Sequence, residues 1–164
     1  MTFGIHAEGR GRARGQGAGQ KPEGRRRDVA AAGVKIIGDS HGPVRIGDDV
    51  QILENTVLHL LPDNELIIDN GVIVGPGAMI HGCHIGAGSV VEPGAIVCDG
   101  SVLGAGCIVR AGAVVKQRSQ LPPGTDIDGL PAKAIRRLPE PVRLPSWALR
   151  PDDLPVPAAG GPVR

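Results

Sequence analysis

The sequence predicts an all-β solenoid, in which short parallel strands coil around a narrow aliphatic core. Three observations predict it: a regular spacing of branched aliphatic residues, a glycine placed at a fixed distance after many of them, and a near absence of aromatic residues. The aliphatic positions are six residues apart, except for one interval of ten and one of five, at Ile46, Ile52, Leu58, Ile68, Val74, Ile80, Ile85, Val91, Val97, Leu103, Val109 and Val115. One aliphatic layer per short repeat is typical of stacked strands rather than helices.

The glycines predict the corners of the solenoid. They stand three residues after an aliphatic position, at Gly71, Gly77, Gly88, Gly94, Gly100, Gly106 and Gly112. Because glycine adopts a positive φ without strain, each is expected to turn the chain. A small residue then precedes the next aliphatic by two positions, at Ala78, Ser89, Ala95, Ser101, Cys107 and Ala113. We expect these small side chains to point inward at the corners.

Composition limits the class of protein further. The 164 residues suffice for one domain, and with one Phe, one Trp and no Tyr its core must consist of Ile, Val, Leu and Ala. No segment reaches membrane-spanning length, and the N-terminus lacks the apolar segment of a signal peptide. Cys83, Cys98 and Cys107 are therefore expected to be free thiols in a reducing compartment, the cytoplasm.

The two ends of the chain differ from the repeat region. Residues 1–28 carry seven Lys or Arg against three Asp or Glu, a net charge of +4. Since the whole chain has a net charge of +1, the remaining residues carry −3. The Gly/Arg-rich composition of residues 1–28 predicts a disordered arm over 1–33. Without aromatic residues interleaved among its basic residues to stack bases, the arm is not expected to have a nucleic-acid partner. The solenoid is predicted over 34–133, followed by a Pro-rich tail over 134–164 with at best one helical turn.

The repeat resembles the hexapeptide repeat of left-handed parallel β-helices, from residue 46 to about residue 133. The final run "LPPGTDIDGLPAK" resembles the segment with which that family closes its last coil. The resemblance implies three hexapeptides per triangular coil, about four coils here, and assembly as a homotrimer.

Three hexapeptides per coil allow the stacking to be counted. Leu58 and Ile80 are one coil apart, so His59 is expected directly beneath His81 at one inter-strand spacing of about 4.8 Å. Cys98 falls in the same column one coil further on. Two imidazoles at that spacing can bind one ion, since Zn–N bonds are about 2.0–2.1 Å.

Two segments resemble those of gamma-class carbonic anhydrases: "IGDDVQILENTVLH", residues 46–59, and "VGPGAMIHGCHIG", residues 74–86. The resemblance implies zinc or iron held by three histidines at a subunit boundary, with CO2 and bicarbonate as the small molecules. His59 and His81 match the two ligands from one chain. Pro76 stands where the histidine offered to the neighbouring chain is expected, and proline has no ligand atom.

Other positions depart from the same pattern. Leu53 stands where a polar glutamine is expected, and Ile37-Gly38-Asp39 lacks the arginine of an Arg-Gly-Asp run. The candidates to replace the lost ligand are His84, His41 and Cys98, each of which is alternatively a solvated or packing residue. The His59–His81 pair itself is either a metal site or a vestigial interface stack.

Three functions follow from these observations. The first is a gamma-carbonic-anhydrase-like metalloprotein with a degenerate site, in which the catalytic residues stay unassigned. The second is a hexapeptide acyltransferase using acetyl-CoA with a histidine as general base, although the insertion from Leu60 to Ile67 carries no histidine. The third is a non-catalytic trimeric scaffold, which the proline at position 76 favours.

Overall fold

The computed structural model describes residues 2–3, 28–38, 42–139 and 141–153, and within these ranges the chain consists mainly of short strands joined by tight turns. The strands are β1 (Thr2–Phe3), β2 (Val29–Ala30), β3 (Lys35–Gly38), β4 (Val44–Ile46), β5 (Gln51–Ile52), β6 (Val57–Leu60), β7 (Leu66–Ile68), β8 (Ile73–Val74), β9 (Met79–His81), β10 (His84–Ile85), β11 (Val90–Val91), β12 (Ile96–Val97), β13 (Val102–Leu103), β14 (Ile108–Val109), β15 (Val114–Val115), β16 (Gln120–Leu121), β17 (Thr125–Gly129) and β18 (Ala132–Arg137). A short 3-10 helix, η1, covers Pro151–Asp153.

The strands form three sheets, which are the three faces of a triangular solenoid. Sheet A has the order β1-β3-β6-β9-β12-β15, sheet B the order β2-β5-β8-β11-β14-β17-β18, and sheet C the order β4-β7-β10-β13-β16. Neighbours in each sheet pair in parallel, except that β1–β3 and β17–β18 are antiparallel. The chain visits sheets B, A and C in turn, and the predicted left-handed parallel β-helix is confirmed.

The aliphatic columns align as the spacing predicts. In sheet A, Leu58 pairs with Ile80, which is in register with Val97 and then Val115. These four side chains are fully buried, and the equivalent columns of sheets B and C complete one continuous core. Each coil therefore adds one apolar layer, whose burial is the main source of stability.

The corners also follow the prediction. All seven predicted corner glycines have φ between 66° and 72°, and Arg118 occupies an equivalent corner with a φ of 58°. The small side chains beside the corners are buried. The two serines among them donate hydrogen bonds to the next coil: Ser89 Oγ donates to the Gly104 carbonyl at 3.1 Å, and Ser101 Oγ donates to the Lys116 carbonyl at 2.8 Å. Cys83 and Cys107 are buried in the core, as predicted.

The solenoid begins earlier than the sequence pattern indicates. Its first coil starts at Val29, inside the segment predicted as an arm, so there are about five turns rather than about four. Ala30 occupies the inward position that pairs with Ile52, and Ile36 occupies the one that pairs with Leu58. The branched-aliphatic pattern misses this coil because an alanine takes one of its core positions. The rest of the predicted arm, 4–27, lies outside the described residues.

The segment after β18, residues 141–153, lies across the outer face of sheet B, and we call it the strap. Val142, Trp147 and Ala148 pack against the outward-facing side chains of sheet B, Ile73, Val90 and Ile108. The Gln51 side chain donates to the Leu149 carbonyl and accepts from the Leu149 amide, both at 2.9 Å. Of the predicted tail over 134–164, the strap is therefore a packed cover for one face, and residues 134–137 belong to β18. Among the residues that the structure describes, no helix is long and apolar enough to cross a membrane.

Candidate functional site

The candidate site lies where the chain turns from sheet A to sheet C, and we call it the A–C corner. β6 and β9 bring His59 and His81 into register there, with ring centroids 5.5 Å apart and ring planes at 85°. The predicted stacking of these two histidines is confirmed. Because the rings meet edge to face, the pair is an aromatic contact in this structure.

His81 is partly buried, and one of its ring nitrogens lacks a hydrogen-bond partner. Its side chain is 22% exposed, and its Nδ1 atom is buried without a hydrogen-bond partner. The carboxylate of Asp99 lies opposite, with Oδ2 at 4.0 Å from Nδ1. That distance is too long for a hydrogen bond, although contacts of this kind often tighten when a substrate binds.

Asp99 is held in place by two donors on its other oxygen. Asn64 Nδ2 donates to Asp99 Oδ1 at 2.8 Å, and the Gly82 amide donates to the same atom at 3.3 Å. Oδ2 is therefore the oxygen turned toward His81. Sequence reasoning missed both Asp99 and Asn64, since Asp99 occupies an ordinary corner position and Asn64 lies in the insertion, where the repeat gives no register.

Cys98 reaches the same corner, one coil above His81. Burial raises the pKa of its thiol, and the negative charge of Asp99 raises that pKa further. Burial likewise raises the pKa of the neighbouring Cys83 thiol. Because the thiolate is the form that attacks electrophiles and binds metals, Cys98 is held in its less reactive form at neutral pH.

The other predicted ligands lie elsewhere. His84 is on sheet C, where its Nε2 atom forms a 2.8 Å hydrogen bond with Asp69 Oδ2. Pro76 is at the corner between sheets B and A, and Leu53 is buried. His41 lies outside the described residues. The chain thus brings together His59 and His81, with Cys98 and Asp99 beside them.

Comparison with known proteins assigns the family. The profile of the family "Bacterial transferase hexapeptide (six repeats)" matches residues 82–117. A Bacillus cereus protein provisionally named an acetyltransferase is 31% identical, with a TM-score of 0.64, over 70% of this chain and 76% of that one. The chain belongs to the hexapeptide-repeat transferase family.

Two further solved structures share the fold of this chain. A hexapeptide transferase family protein from Anaplasma phagocytophilum is 24% identical, with a TM-score of 0.55, over 67% of this chain and 83% of that one. A hexapeptide-repeat acetyltransferase from Vibrio cholerae, solved with acetyl coenzyme A, is 21% identical, with a TM-score of 0.53, over 70% of this chain and 73% of that one.

Within the described part of one chain, the side chains do not form a complete metal site. A catalytic zinc takes three protein ligands and leaves one position open. Among the described residues, no group of three or more His, Cys, Asp or Glu side chains could hold a metal ion. The A–C corner offers two stacked histidines, His59 and His81, with Cys98 beside them. Zinc or iron at this corner therefore stays a prediction, and it would need a ligand from outside the described residues of one chain.

Proposed function

We propose that the protein is an acyltransferase that takes its acyl group from acyl-CoA and uses His81 as general base. The observation that carries the proposal is the half-buried imidazole of His81, whose Nδ1 atom faces the carboxylate of Asp99. Membership of the hexapeptide-repeat transferase family supports it, as does the name of the Bacillus cereus relative. The acyl acceptor is a primary amine or a hydroxyl, the groups that such a base activates.

The arrangement defines a task for each ring nitrogen of His81. With its proton on Nδ1, directed at Asp99, the imidazole has an unprotonated Nε2. Since Nδ1 is buried and faces Asp99, Nε2 is the nitrogen proposed to meet the acceptor. Asp99 stabilises the positive charge that forms on the ring when Nε2 takes a proton.

The reaction then balances without an added cofactor beyond the acyl donor. The acceptor lone pair attacks the thioester carbonyl carbon while His81 Nε2 removes the acceptor proton. A carbon–nitrogen or carbon–oxygen bond forms and the carbon–sulfur bond breaks. CoA leaves as a thiolate and receives the proton from His81, which returns to its starting state.

The test is an assay of CoA thiol release from acetyl-CoA in the presence of a panel of amines and amino sugars. We expect acceptor-dependent release by the wild type and a loss in kcat of about 10²–10⁴-fold in His81→Asn. His84→Asn is the matched control, because His84 is a half-exposed histidine of the neighbouring sheet. Release by His81→Asn at the wild-type rate overturns the proposal.

We also propose that the functional unit is a homotrimer joined through sheet A. The strap covers sheet B, whereas the outer face of sheet A presents an apolar column, in which Met79 is 38% exposed, flanked by Val57 and Ile96. Light scattering after size exclusion is expected to give three times the 16.8 kDa of one chain. Met79→Glu should dissociate the assembly, whereas the exposed corner variant Gln117→Glu should not.

A second candidate function is CO2 hydration by a gamma-carbonic-anhydrase-like metal centre. The confirmed stacking of His59 on His81 favours it, since these are the two ligands that the sequence resemblance assigns to one chain. It requires a third ligand from a partner chain. One metal equivalent per chain, with CO2 hydration above buffer, would establish it over acyl transfer. Absence of both activities and of metal would leave the trimeric scaffold.

A further inference from the structure

We infer that the turn of residues 61–65 is a positioning element that controls His81 through Asn64 and Asp99. The inference rests on the proposed role of His81 as general base. Asn64 touches neither the imidazole nor a reacting atom, so it acts through another residue.

The turn is an insertion into the repeat, and its own contacts give it a defined shape. The Asn64 amide donates to the Leu61 carbonyl at 3.2 Å, which closes the turn, and Asp63 takes a left-handed conformation with φ at 63°. Within this turn Asn64 is the half-buried residue, whereas Leu61, Asp63 and Glu65 are exposed. Its side chain therefore points at the solenoid and crosses to Asp99, 35 residues further along the chain.

Gly82 explains why the turn lies so close to the histidine. A Cβ atom at Gly82 would be 2.8 Å from the Cβ of Asn64, so a side chain there would push the turn away. The amide of the same glycine supplies the second donor to Asp99 Oδ1. Gly82 thus leaves room for the turn and, together with Asn64, holds the Asp99 carboxylate by a hydrogen bond.

The consequence concerns the proton on His81. With two donors on Oδ1, the carboxylate keeps Oδ2 directed at Nδ1, and a closure of about 1 Å converts the 4.0 Å contact into a hydrogen bond. A carboxylate in that place favours the tautomer with its proton on Nδ1. Loss of the Asn64 donor frees the carboxylate to rotate, so both the tautomer preference and the alignment of the base should weaken.

The tautomer of His81 can be read directly by NMR of the purified protein labelled with ¹⁵N-histidine, after its metal content has been measured. We expect the Nδ1–H tautomer in the wild type and a shift toward Nε2–H in Asn64→Ala. Glu65→Ala is the matched control, because Glu65 lies in the same turn and pairs with Arg45 at 3.5 Å instead of Asp99. It should leave the tautomer unchanged.

Activity provides the second readout. Asn64→Ala should lower kcat about ten- to hundredfold with little change in KM, because the base is misaligned while the donor site is intact. Should that variant fail to fold, Asn64→Asp keeps the size and turns the donor into a carboxylate that repels Asp99. An unchanged His81 tautomer in either folded variant overturns the inference.

The two readouts separate this inference from the proposed function. The NMR measurement needs no acyl-CoA, so a tautomer shift in a protein without transferase activity would keep the positioning role and discard the reaction. Transferase activity with an unchanged tautomer would keep the proposed reaction and discard the positioning role of Asn64.

Discussion

The ion-pair network at the end of the solenoid allows the sharpest stability prediction. Asp126 is 1% exposed, and Arg110 donates two hydrogen bonds to its carboxylate, at 2.5 Å from Nε and at 2.7 Å from Nη2. Arg136 adds a third, of 2.8 Å, but its side chain is 64% exposed. Hydrogen bonds to charged groups contribute about 1.5–3 kcal/mol each, and breaking a buried pair costs about 3–5 kcal/mol.

We therefore expect Asp126→Asn and Arg110→Ala each to lower the free energy of unfolding by about 2–3 kcal/mol. The value lies below the buried-pair range because the residue left behind is not isolated: Arg110 is 31% exposed to water, and Asp126 keeps its hydrogen bond from Arg136. Arg136→Ala should cost less than about 1 kcal/mol, as exposed ion pairs do. Urea unfolding at a fixed protein concentration measures all three, with the exposed Asp128→Asn as control. An equal cost for Arg136→Ala and Arg110→Ala would refute the reasoning.

The same network makes the prediction depend on pH. The Arg110 hydrogen bonds lower the pKa of Asp126 below its ordinary value in the unfolded chain, about 3.9. A lowered carboxyl pKa contributes stability above the unfolded value, and this contribution is lost as the pH falls through the folded value. The deficit of Asp126→Asn relative to wild type should thus be full at neutral pH and shrink below about pH 4. A deficit that stays constant in acid would contradict the assignment.

Three further predictions concern the corners, the strap and the A–C corner. Gly106→Ala should lower the free energy of unfolding by about 1–2 kcal/mol through the positive φ alone, since a Cβ there meets nothing within 4 Å. Arg118→Gly should raise it by up to about 1 kcal/mol, because glycine adopts that φ without strain. Thermal or urea unfolding measures both, and equal effects of the two would contradict the corner assignment. Trp147→Ala should uncover sheet B and increase the binding of a hydrophobic dye without a change in far-UV circular dichroism, and unchanged dye binding would show that the strap does not cover the sheet. Alkylation of Cys98 should be slow at neutral pH and still accelerate above about pH 8.5, because its pKa is raised; a rate that levels off below that pH would contradict the burial of the thiol.

Most of the fold was predictable because a solenoid repeats the same short structural unit, with the same pattern of buried and turn residues, many times. Once the spacing fixes Leu58, Ile80 and Val97 in one column, each neighbouring residue is placed as well, and the stacking of His59 on His81 follows from counting. The prediction stopped where the repeat stops. Ala30 is too small to stand out as a core residue, so the first coil was missed.

The contacts that complete the candidate site cannot be predicted from the six-residue spacing of the repeat. Asn64 lies in an insertion, so its approach to Asp99 depends on how the turn folds back and on the bare backbone of Gly82. The bond between Gln51 and the Leu149 backbone joins residues 98 positions apart, through a Pro-rich segment without periodicity. Tertiary packing decides both contacts, and local sequence carries no signal for either.

The two antiparallel strands, β1 and β18, lie at the edges of sheets A and B. A parallel solenoid presents an open strand edge at each end, and such an edge can recruit another chain and grow into a fibre. Here β18 reverses direction on the last strand of sheet B, and β1 does so on the first described strand of sheet A. Exposed Lys133, Arg136 and Arg137 along β18 add like charge to that edge. A second copy that approaches this end of sheet B therefore meets a charged antiparallel strand instead of the edge of a parallel coil.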